Sequence, residues 1–253
     1  MFITGSADGL GQMAAQRLAG AGHEVVLHGR DEARAAEARR AVPDAADALA
    51  GDLASIAEVR ELAERANRRG RFHAVIHNAA VGYREPRRIE TADGLSHVFA
   101  INVLAPYLLT ALITRPARLI YLTSGMARGG DASLRDLQWR DRPWRGAQAY
   151  SDSKLLDLVL AGAVARRWPD VLANAVAPGW VPTKMGGPGA PDDLAQGDET
   201  QAWLAVSEDS EALVSGRSFF HRAQQRMPAA AEDPAAQDGL LEACRELTAV
   251  ALR

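Results

Sequence analysis

The chain begins with MFITGSADGLG (residues 1–11), where a short apolar run leads into three closely spaced glycines. We interpret residues 1–4 as a strand, residues 5–11 as a turn, and the small and apolar residues through Leu18 as a helix. Glycines allow unusual backbone angles and let a diphosphate lie against the amides at a helix N-terminus, where the helix dipole favours an anion. A plain turn before a helix often has the same composition, so both interpretations stand. Because Met1 lies within the strand, either the strand is short or the natural chain begins upstream.

Apolar runs alternate with helix-like stretches along the rest of the chain. Further strands are predicted at residues 23–30, 46–49, 72–76, 118–122, 172–177 and 214–220. Helices are predicted at residues 31–41, from residue 55, at residues 91–113, from residue 150 and at residues 235–252. Strands that alternate with helices are typical of βαβ units and a parallel sheet. The pattern predicts a single α/β domain, residues 1–253, with a Rossmann-type doubly wound, mainly parallel seven-stranded sheet flanked by helices.

Composition disfavours several classes of protein. The chain of 253 residues has 29 basic and 32 acidic residues, a net charge of -3 and no basic block, which disfavours nucleic-acid binding. Cys244 is the only cysteine and the six histidines do not cluster, so we expect neither a disulfide nor a metal site. No apolar run reaches the roughly 18 residues of a membrane span, and no leader peptide is visible, so we expect a cytoplasmic protein. The abundance of Ala and Arg suggests a bacterial source.

A tyrosine and a lysine lie four residues apart in YSDSK, residues 150–154. Residues four apart share one face of a helix, so the ammonium of Lys154 would lie beside the phenol of Tyr150 and favour its ionised form. The tyrosine would then serve as a general acid near neutral pH. Lys154 and Lys184 are the only lysines among 29 basic residues, which indicates a role at Lys154 that arginine cannot perform. The alternative is a solvated pair on a helix surface.

The ends of the second and third predicted strands bear on the adenosine half of a dinucleotide. In an open α/β sheet the residue after the second strand contacts the adenosine ribose. An acidic residue there would bind the 2′-hydroxyl of NAD, but the chain has Gly29 and Arg30, which suit the 2′-phosphate of NADP. The alternative for Arg30 is an ordinary surface arginine. After the third strand, Asp52, followed by Leu53, can accept from the adenine amino group or cap the next helix.

Polar and small residues also follow the fourth, fifth and sixth strands, at the edge where such sheets bind ligands. The small side chains within residues 78–80 let the backbone lie against a ribose. Ser124 follows the fifth strand, where a hydroxyl is well placed to meet a substrate, and a Pro-Gly pair at residues 178–179 follows the sixth. Asn102, midway along a predicted apolar helix, is by itself most simply a satisfied core amide.

Two irregular segments are predicted to border this edge. The stretch between Ser124 and Tyr150 is too long for a plain loop, and such loops usually form an active-site wall. Residues 185–203 begin with a Gly/Pro-rich run, which predicts a mobile lid. The candidate substrate-binding residues are Ser124, Met126, Trp144, Tyr150, Trp180 and Met185.

Taken together, these motifs resemble the short-chain dehydrogenase/reductase family. They are Thr4-Gly5-x-x-x-Gly9-x-Gly11, Asn78-Ala79-Ala80, Asn102, Ser124, Tyr150-x-x-x-Lys154 and Pro178-Gly179, in the order and spacing of that family. The resemblance covers essentially the whole chain, and the segments around and before Tyr150 are most similar to the retinol-dehydrogenase-like branch. Two features depart from the family pattern. Ala80 stands where glycine is common, and the long segment after Ser124 leaves Thr123 as a second candidate for the catalytic hydroxyl.

The resemblance implies an NADP(H)-dependent oxidoreductase that transfers hydride between the nicotinamide and the carbonyl or alcohol of a small apolar substrate. Ser124 and Tyr150 would bind the substrate oxygen, with Tyr150 as the general acid or base. Lys154 would bind the nicotinamide ribose and lower the pKa of the tyrosine. Asn102 would hold a water that links Lys154 to solvent. NAD(H) is the less favoured cofactor.

The cofactor-binding residues that the resemblance implies come from the whole strand-end edge. They are Gly5, Ser6, Asp8, Gly9, Leu10, Gly11, Gly29, Arg30, Asp52, Leu53, Asn78, Ala79, Ala80, Tyr150, Lys154, Pro178, Gly179, Val181 and Thr183. The Val181 backbone would hold the carboxamide, and Thr183 would reach the diphosphate. Residues 1–120 would form mainly the cofactor-binding half, and residues 121–253 the catalytic and substrate-binding half.

Two other functions remain open for the same residues. Some members of the family use the Tyr/Lys pair for dehydration, isomerisation or cyclisation without net redox change. A non-catalytic dinucleotide-binding regulator would keep the cofactor site, but an intact set of catalytic residues argues for turnover. We expect a small-molecule substrate and neither a nucleic-acid nor a membrane partner, and a homodimer and a homotetramer both remain open.

Overall fold

Eight strands form one sheet in the computed structural model, which describes residues 1–252. The strands are β1 (Phe2–Ile3), β2 (Val26–Gly29), β3 (Asp47–Ala50), β4 (Ala74–His77), β5 (Arg118–Leu122), β6 (Leu172–Val176), β7 (Ser218–Phe220) and β8 (Ala223–Gln225). Their order is β3-β2-β1-β4-β5-β6-β7-β8, and all neighbouring pairs except β7 and β8 are parallel. This doubly wound, mainly parallel arrangement is of the Rossmann type, so the predicted fold class is confirmed.

Helices connect most of the successive strands. They are α1 (Gly9–Gly20), α2 (Glu32–Ala41), α3 (Ile56–Asn67), α4 (His97–Phe99), α5 (Ala105–Leu112), α6 (Gly146–Arg167), α7 (Glu199–Val206), α8 (Ala229–Glu232) and α9 (Pro234–Thr248). Short 3-10 turns lie at Gly125–Gly129 and Leu194–Gln196. Within residues 1–252, no helix combines the length and the apolar character that crossing a membrane requires.

Two hydrophobic cores cover the two faces of the sheet. Side chains of consecutive strand residues point to opposite faces. Accordingly Phe2 packs into one core with α3, α5, α6 and α9, whereas Ile3 packs into the other with α1, α2 and α7. Val75 and Ile76 of β4 divide between the two cores in the same way. Burial on both faces explains why the central strands are continuous apolar runs.

The eighth strand, β8, is the part of the sheet that the sequence did not predict. β7 and β8 form an antiparallel hairpin with a loop of two residues, His221 and Arg222, whose φ angles are 48° and 61°. Two consecutive positive φ values are characteristic of the tight turn that usually contains Asn-Gly or Asp-Gly. Because this turn lacks a glycine, its sequence carries no hairpin signal, and β8 was missed.

The helix predicted at residues 91–113 starts later than predicted and is not a regular α-helix throughout. It begins at His97, and a π-helical turn, Ala100–Leu104, separates α4 from α5. Pro106 has no N–H and its ring would clash with the carbonyl four residues earlier, that of Asn102, if the helix were regular. The wider turn accommodates the proline, and it places Asn102 on a π-helical segment, a feature common at functional sites.

Helix α6 carries the Tyr/Lys pair through the centre of the molecule. Every residue from Ala149 to Val164 is buried, so the helix is apolar on nearly all sides rather than amphipathic. The predicted solvated pair is therefore excluded, because both members lie inside the protein.

The predicted lid overlaps a buried helix at its C-terminal end. Residues 185–198 contain a single 3-10 turn and otherwise irregular backbone in the described structure. Helix α7 then begins at Glu199, and its residues Thr200, Gln201 and Ala202 are buried. Only residues 185–198 retain the irregular structure that a lid requires.

Candidate active site

A cleft of about 610 Å³ lies at the carboxyl ends of the central strands, a volume within the usual range of small-molecule sites. It includes the point between β1 and β4 where the strand order reverses, the usual ligand site of such sheets. The lining residues that the sequence predicted are Gly5, Asp8, Gly9, Leu10, Gly29, Arg30, Asp52, Leu53, Asn78, Ala79, Ala80, Tyr150, Lys154, Pro178, Thr183 and Met185. Residues far apart in the chain are therefore assembled around one cavity.

The glycine turn is shaped by close contact with the end of β4. Gly5 has a φ of 63°, and a side chain there would lie 2.9 Å from the Cα of Ala79. A side chain at Gly11 would lie 2.4 Å from the Nδ2 of Asn78. Asn78 Nδ2 also donates to the carbonyl of Thr4 at 3.0 Å. Gly11 thus serves helix packing and does not line the cleft, whereas Gly5 keeps the turn open beside it.

Ser6, one of the predicted cofactor-binding residues, is buried and does not line the cleft. Its hydroxyl donates to the carbonyl of Ile3 at 3.0 Å and accepts from the amide of His28 at 2.8 Å. His28, which the sequence analysis missed, accepts from the amide of Gly5 through Nδ1 at 3.0 Å. Its Nε2 must therefore carry the proton and donate to the carbonyl of Gly51 at 2.9 Å. Burial lowers the pKa of His28 to about 4, so the ring is neutral at pH 7.

Two guanidinium groups border the end of the cleft beside β2 and α2. Arg30 is largely exposed and pairs with Asp31 at 3.3 Å. Arg34, one turn into α2, binds the carboxylate of Asp8 at 2.8 Å. Gly29 is required for packing, because a side chain there would lie 2.3 Å from the amide of Ala35. The helix thus leaves no room for an acidic side chain at residue 29.

Asp8 also binds the second lysine of the chain. Lys184 Nζ lies 2.7 Å from Asp8 Oδ2, so the carboxylate lies between Lys184 and Arg34. Burial alone would raise the pKa of Asp8, but hydrogen bonds from Lys184 and Arg34 outweigh it and hold the pKa below its ordinary value. Both cations line the cleft beside the glycine turn, and neither was among the predicted site residues.

Asp52 does not cap α3, which was one of its two predicted roles. Ser55 is the N-cap and accepts from the amide of Glu58. The carboxylate of Asp52 instead accepts from the amide of Ala54 at 2.9 Å. Asp52 lines the cleft, so contact with an adenine remains its other predicted role.

Tyr150 is the central group of the site. Its side chain is buried, and burial raises its pKa above the ordinary value, although Lys154 and a hydrogen bond from Ser124 act to lower it. Lys154 acts to lower the pKa of Tyr150, as expected. The pKa is nevertheless raised overall, contrary to the expectation, because desolvation of the phenolate has a larger effect than Lys154. Lys154 Nζ lies 5.7 Å from the centre of the tyrosine ring.

Ser124 is favoured over Thr123 as the catalytic hydroxyl. The Thr123 hydroxyl donates to the carbonyl of Lys154 at 2.6 Å and is committed to holding β5 against α6. Ser124 is only half-buried, and its hydroxyl is within reach of Tyr150 and the amide of Met126. The sequence alone left Ser124 and Thr123 both as candidates for the catalytic hydroxyl. Their hydrogen bonds in the structure distinguish the two.

Lys154 is held by two buried acceptors. Its ammonium donates to the carbonyl of Leu122 at 2.7 Å and to Asp157 Oδ2 at 2.8 Å. Asp157 was not among the predicted residues. The available signal was a single acidic residue, one helical turn after Lys154, in an otherwise apolar stretch of α6.

Asn102 is connected to the site through backbone groups rather than directly to Lys154. Its Oδ1 accepts from the amide of Val81 at 2.9 Å, and its Nδ2 donates to the Val81 carbonyl and to the Ser153 hydroxyl, each at 2.9 Å. The side-chain amide is therefore fully engaged.

The loop after β4 packs beside Tyr150, a contact that the sequence analysis did not predict. Tyr83 lies with its ring centre 5.7 Å from that of Tyr150, and its hydroxyl donates to the carbonyl of Met185 at 2.7 Å. A side chain at Gly82 would lie 2.5 Å from the Tyr150 ring. The loop after β4 therefore packs on the tyrosine and contacts the segment at residues 185–187.

Four predicted substrate residues do not line the cleft: Ser124, which is connected to it only through Tyr150, and Met126, Trp144 and Trp180. The indole of Trp144 donates to the carbonyl of Glu85 at 2.9 Å and packs against the indole of Trp139. Trp180 is 55% exposed and donates to the carbonyl of Gly186, and Met126 is exposed on the 3-10 turn. Met126, Trp144 and Trp180 face neighbouring loops or solvent instead of the cleft.

The backbone around Gly179 and Val181 lies next to the cleft without lining it. Gly179 has a φ of 94°, and a side chain there would lie 2.8 Å from the carboxylate of Asp192. Val181 is buried, and its carbonyl accepts from the amide of Thr183 at 2.7 Å. Thr183 itself lines the cleft.

Comparison with known proteins places this geometry among enzymes. A family model described as Enoyl-(Acyl carrier protein) reductase matches residues 5–212. An uncharacterized oxidoreductase of Emericella nidulans is 44% identical over 99% of this chain and 97% of its own length. Human retinol dehydrogenase 13 is 31% identical over 100% of this chain and 83% of its own length. The crystal structure of an uncharacterized protein from Mycobacterium Paratuberculosis superposes with a TM-score of 0.84 at 25% identity and covers 100% of this chain and 94% of that chain.

Proposed function

Because this chain belongs to the short-chain dehydrogenase/reductase family and has retinol dehydrogenases among its relatives, we propose that it is an NADP(H)-dependent carbonyl reductase or alcohol dehydrogenase. Its substrate would be a small apolar molecule. The observation that carries the proposal is the group formed by Tyr150 and Lys154, which line the strand-end cleft, and Ser124, whose hydroxyl hydrogen-bonds Tyr150. A phenol, a hydroxyl and an ammonium in one group are what proton transfer to a carbonyl oxygen needs.

A nicotinamide dinucleotide fits the residues that line the cleft. Gly5 and Gly9 both have positive φ values and present open backbone at the N-terminus of α1, where a diphosphate would be favoured. Arg30 and Arg34 supply positive charge at the adenosine end, and Gly29 leaves no room for an acidic ribose ligand. These features support NADP(H) over NAD(H).

The residues of the chain have distinct roles in the proposed reduction. The bound nicotinamide supplies the hydride that the carbonyl carbon receives. Tyr150 gives its phenolic proton to the carbonyl oxygen, and Ser124 donates a hydrogen bond to the same oxygen. Lys154 stabilises the phenolate that remains, until a proton from solvent restores the phenol. In the oxidative direction each of these steps is reversed.

We assign to Asn102 the water that returns this proton from solvent. Its side chain holds the backbone of Val81, a residue that lines the cleft. Of the remaining family roles, we assign the carboxamide contact to the Val181 backbone and a diphosphate contact to Thr183. The apolar side chains of Val81, Ile101 and Met185 line the cleft and support an apolar substrate.

The cofactor assignment is tested by titrating NADPH and NADH into the protein. We expect NADPH to bind more tightly, and Arg30→Ala to weaken NADPH binding while leaving NADH binding nearly unchanged. Arg40→Ala, at an exposed position of the following helix α2 and outside the cleft, is the control. Equal affinities for the two cofactors in the wild-type protein, or undiminished NADPH binding in Arg30→Ala, would contradict the assignment.

The redox assignment is tested separately by following the absorbance of the reduced nicotinamide in the presence of apolar ketones and aldehydes. Consumption of NADPH that matches the alcohol formed supports hydride transfer. Conversion of a substrate with cofactor bound but no change in its absorbance would identify the dehydration, isomerisation or cyclisation chemistry that also occurs in this family.

A further inference from the structure

A buried ion pair lies directly behind the candidate active site. Lys154 Nζ and Asp157 Oδ2 are 2.8 Å apart, and both side chains are only 3% exposed. They are three residues apart on α6, so they lie on neighbouring positions of one helix face. Their surroundings are the apolar core, which includes Leu155, Leu158 and Val159. An acidic side chain in such surroundings is costly unless it is paired, which indicates a specific role.

The pair has a direct effect on the charge of the lysine. Burial alone would lower the pKa of Lys154, but the negative charge of Asp157 outweighs burial, so the pKa is raised and the side chain is an ammonium. Burial raises the pKa of Asp157 to about 6, against the opposing effect of Lys154. Both groups are therefore charged at pH 7. A buried lysine without such a partner commonly loses its proton in the neutral range.

The pair also fixes the direction of the ammonium. An ammonium has three hydrogens, and two of them point to Asp157 and to the carbonyl of Leu122. The third remains for the cleft, which Lys154 lines. Without Asp157 the side chain would lose one of the two contacts that hold it and could rotate about the remaining one.

We propose that Asp157 is a positioning residue that keeps Lys154 an ammonium and directs it toward the nicotinamide ribose and Tyr150. The proposed function enters this proposal only in the identity of the group that Lys154 contacts in the cleft. The charge state of Lys154 can be measured without turnover.

The other ionisable groups near the pair do not supply the negative charge that Asp157 provides to Lys154. Tyr150 faces it from α6, Tyr121 faces Asp157 from β5, and Tyr83 faces Tyr150 from the loop after β4. Among residues 1–252, no side chain apart from Asp157 and Tyr150 shifts the pKa of Lys154. The Tyr150 phenol is neutral at pH 7, because burial raises its pKa. Asp157 is thus the counter-ion of Lys154.

The test uses the fact that the chain has two lysines, Lys154 and Lys184. Protein labelled with ¹³C and ¹⁵N in lysine gives two side-chain ammonium signals by NMR, and Lys184→Arg assigns them. Lys184 is exposed and serves as the internal reference. In the wild-type protein, Lys154 should remain an ammonium to at least about pH 9. A neutral Lys154 amine at that pH would overturn the proposal without any variant.

The variant Asp157→Asn removes the charge and keeps the shape of the side chain. We expect the Lys154 titration to move to lower pH by at least about one unit, while Lys184 does not move. Asp152→Asn is the matched control, because Asp152 is also buried on α6 but pairs with Arg142 at 2.8 Å rather than with a lysine. Asp157→Glu should restore an ammonium. An unchanged Lys154 titration in Asp157→Asn would overturn the proposal.

A second measurement follows the reaction itself. The alkaline limit of kcat/KM for carbonyl reduction should move to lower pH by about one unit in Asp157→Asn and stay in place in Asp152→Asn. The limit moves because Lys154 then loses its proton at lower pH, and the neutral amine no longer stabilises the phenolate that Tyr150 leaves. If the wild-type protein reduces no carbonyl, the proposed function fails, yet the NMR titration still decides the role of Asp157. An unchanged pH limit together with an unchanged titration overturns the inference and leaves the proposed function standing.

Discussion

At the scale of single residues, the reactivity of Tyr150 is set by a balance between burial and nearby charge. Burial raises the pKa of the phenol, and the positive charge of Lys154 opposes this rise. Asp157 cancels part of the effect of Lys154 because it carries the opposite charge. A phenol with a raised pKa stays protonated at neutral pH and is therefore ready to donate a proton.

Tyr150→Phe should reduce turnover by about 10²- to 10⁴-fold, the usual contribution of a general acid, because only the proton donor is removed. Cofactor affinity should change little, since the ring still packs against Gly82 and Tyr83. Steady-state kinetics and a cofactor titration measure the two effects. Tyr107→Phe is the control, because Tyr107 is a buried tyrosine whose hydroxyl binds the carbonyl of Val250. A Tyr150→Phe variant that kept most of its activity would show that another group is the acid.

At the scale of elements, the segment at residues 185–198 is irregular but is held at several points. Asp192 accepts from the amide of Trp180 at 2.6 Å, and the buried Asp198 pairs with Arg17 at 2.7 Å. Its start contacts the rest of the protein through the hydroxyl of Tyr83 and through Arg84, which donates to the carbonyl of Gly186 at 3.2 Å. Its glycines and prolines prevent a regular helix and bring few apolar side chains to bury. By contrast, α7 follows immediately and is anchored by buried residues.

We predict that residues 185–198 become ordered when the cofactor and substrate bind, because closure over Tyr150 would exclude water from the reaction. Hydrogen exchange with and without NADPH measures this. Protection should rise across residues 185–198, whereas α7 should be protected in both states and serves as the internal control. Tyr83→Phe should speed exchange in the segment in the absence of ligand. Strong, unchanged protection of the segment in the free protein would rule out a lid.

At the scale of the whole molecule, the buried histidines couple stability to pH. His77 lies between the sheet and α5, stacked on Tyr121 at 4.8 Å between ring centres, and its Nε2 contacts the Thr110 hydroxyl. Burial lowers its pKa to about 3. In the unfolded chain a histidine has a pKa near 6.5, so below that pH the unfolded state takes up a proton that the folded state does not. The stability from His77 is therefore complete above pH 6.5 and decreases as the pH falls.

His77→Phe should make the free energy of unfolding less dependent on pH, since a phenyl ring keeps the stack and does not titrate. Between pH 7 and pH 5 the wild-type protein should lose about 2 kcal/mol more than the variant. Urea unfolding at the two pH values measures the difference. Asp157 acts with the opposite sign, because its pKa is raised to about 6, so only the comparison of the two proteins isolates His77. His23→Phe, at an exposed position, is the control, and an equal loss in His77→Phe and the wild-type protein would contradict the prediction.

The amino-acid sequence by itself determined those features that depend on local geometry. Alternating apolar runs and helices specify the sheet, because the periodicity of each element follows from its own residues. The spacing of Tyr150 and Lys154 places them on one helix face in any fold that keeps the helix. The glycines at residues 5–11 likewise mark a turn whose backbone other residues rarely adopt.

The tertiary structure alone decided the features that depend on what surrounds a residue. Burial raises the pKa of Tyr150 against the pull of Lys154, and the extent of burial follows from packing by the distant loop at Gly82 and Tyr83. Trp144 turns to Glu85 instead of the cleft, because its hydrogen-bond partner comes from another part of the chain. Such partners lie tens of residues away, so no local pattern encodes them, and desolvation and hydrogen bonding take effect only once the chain has folded.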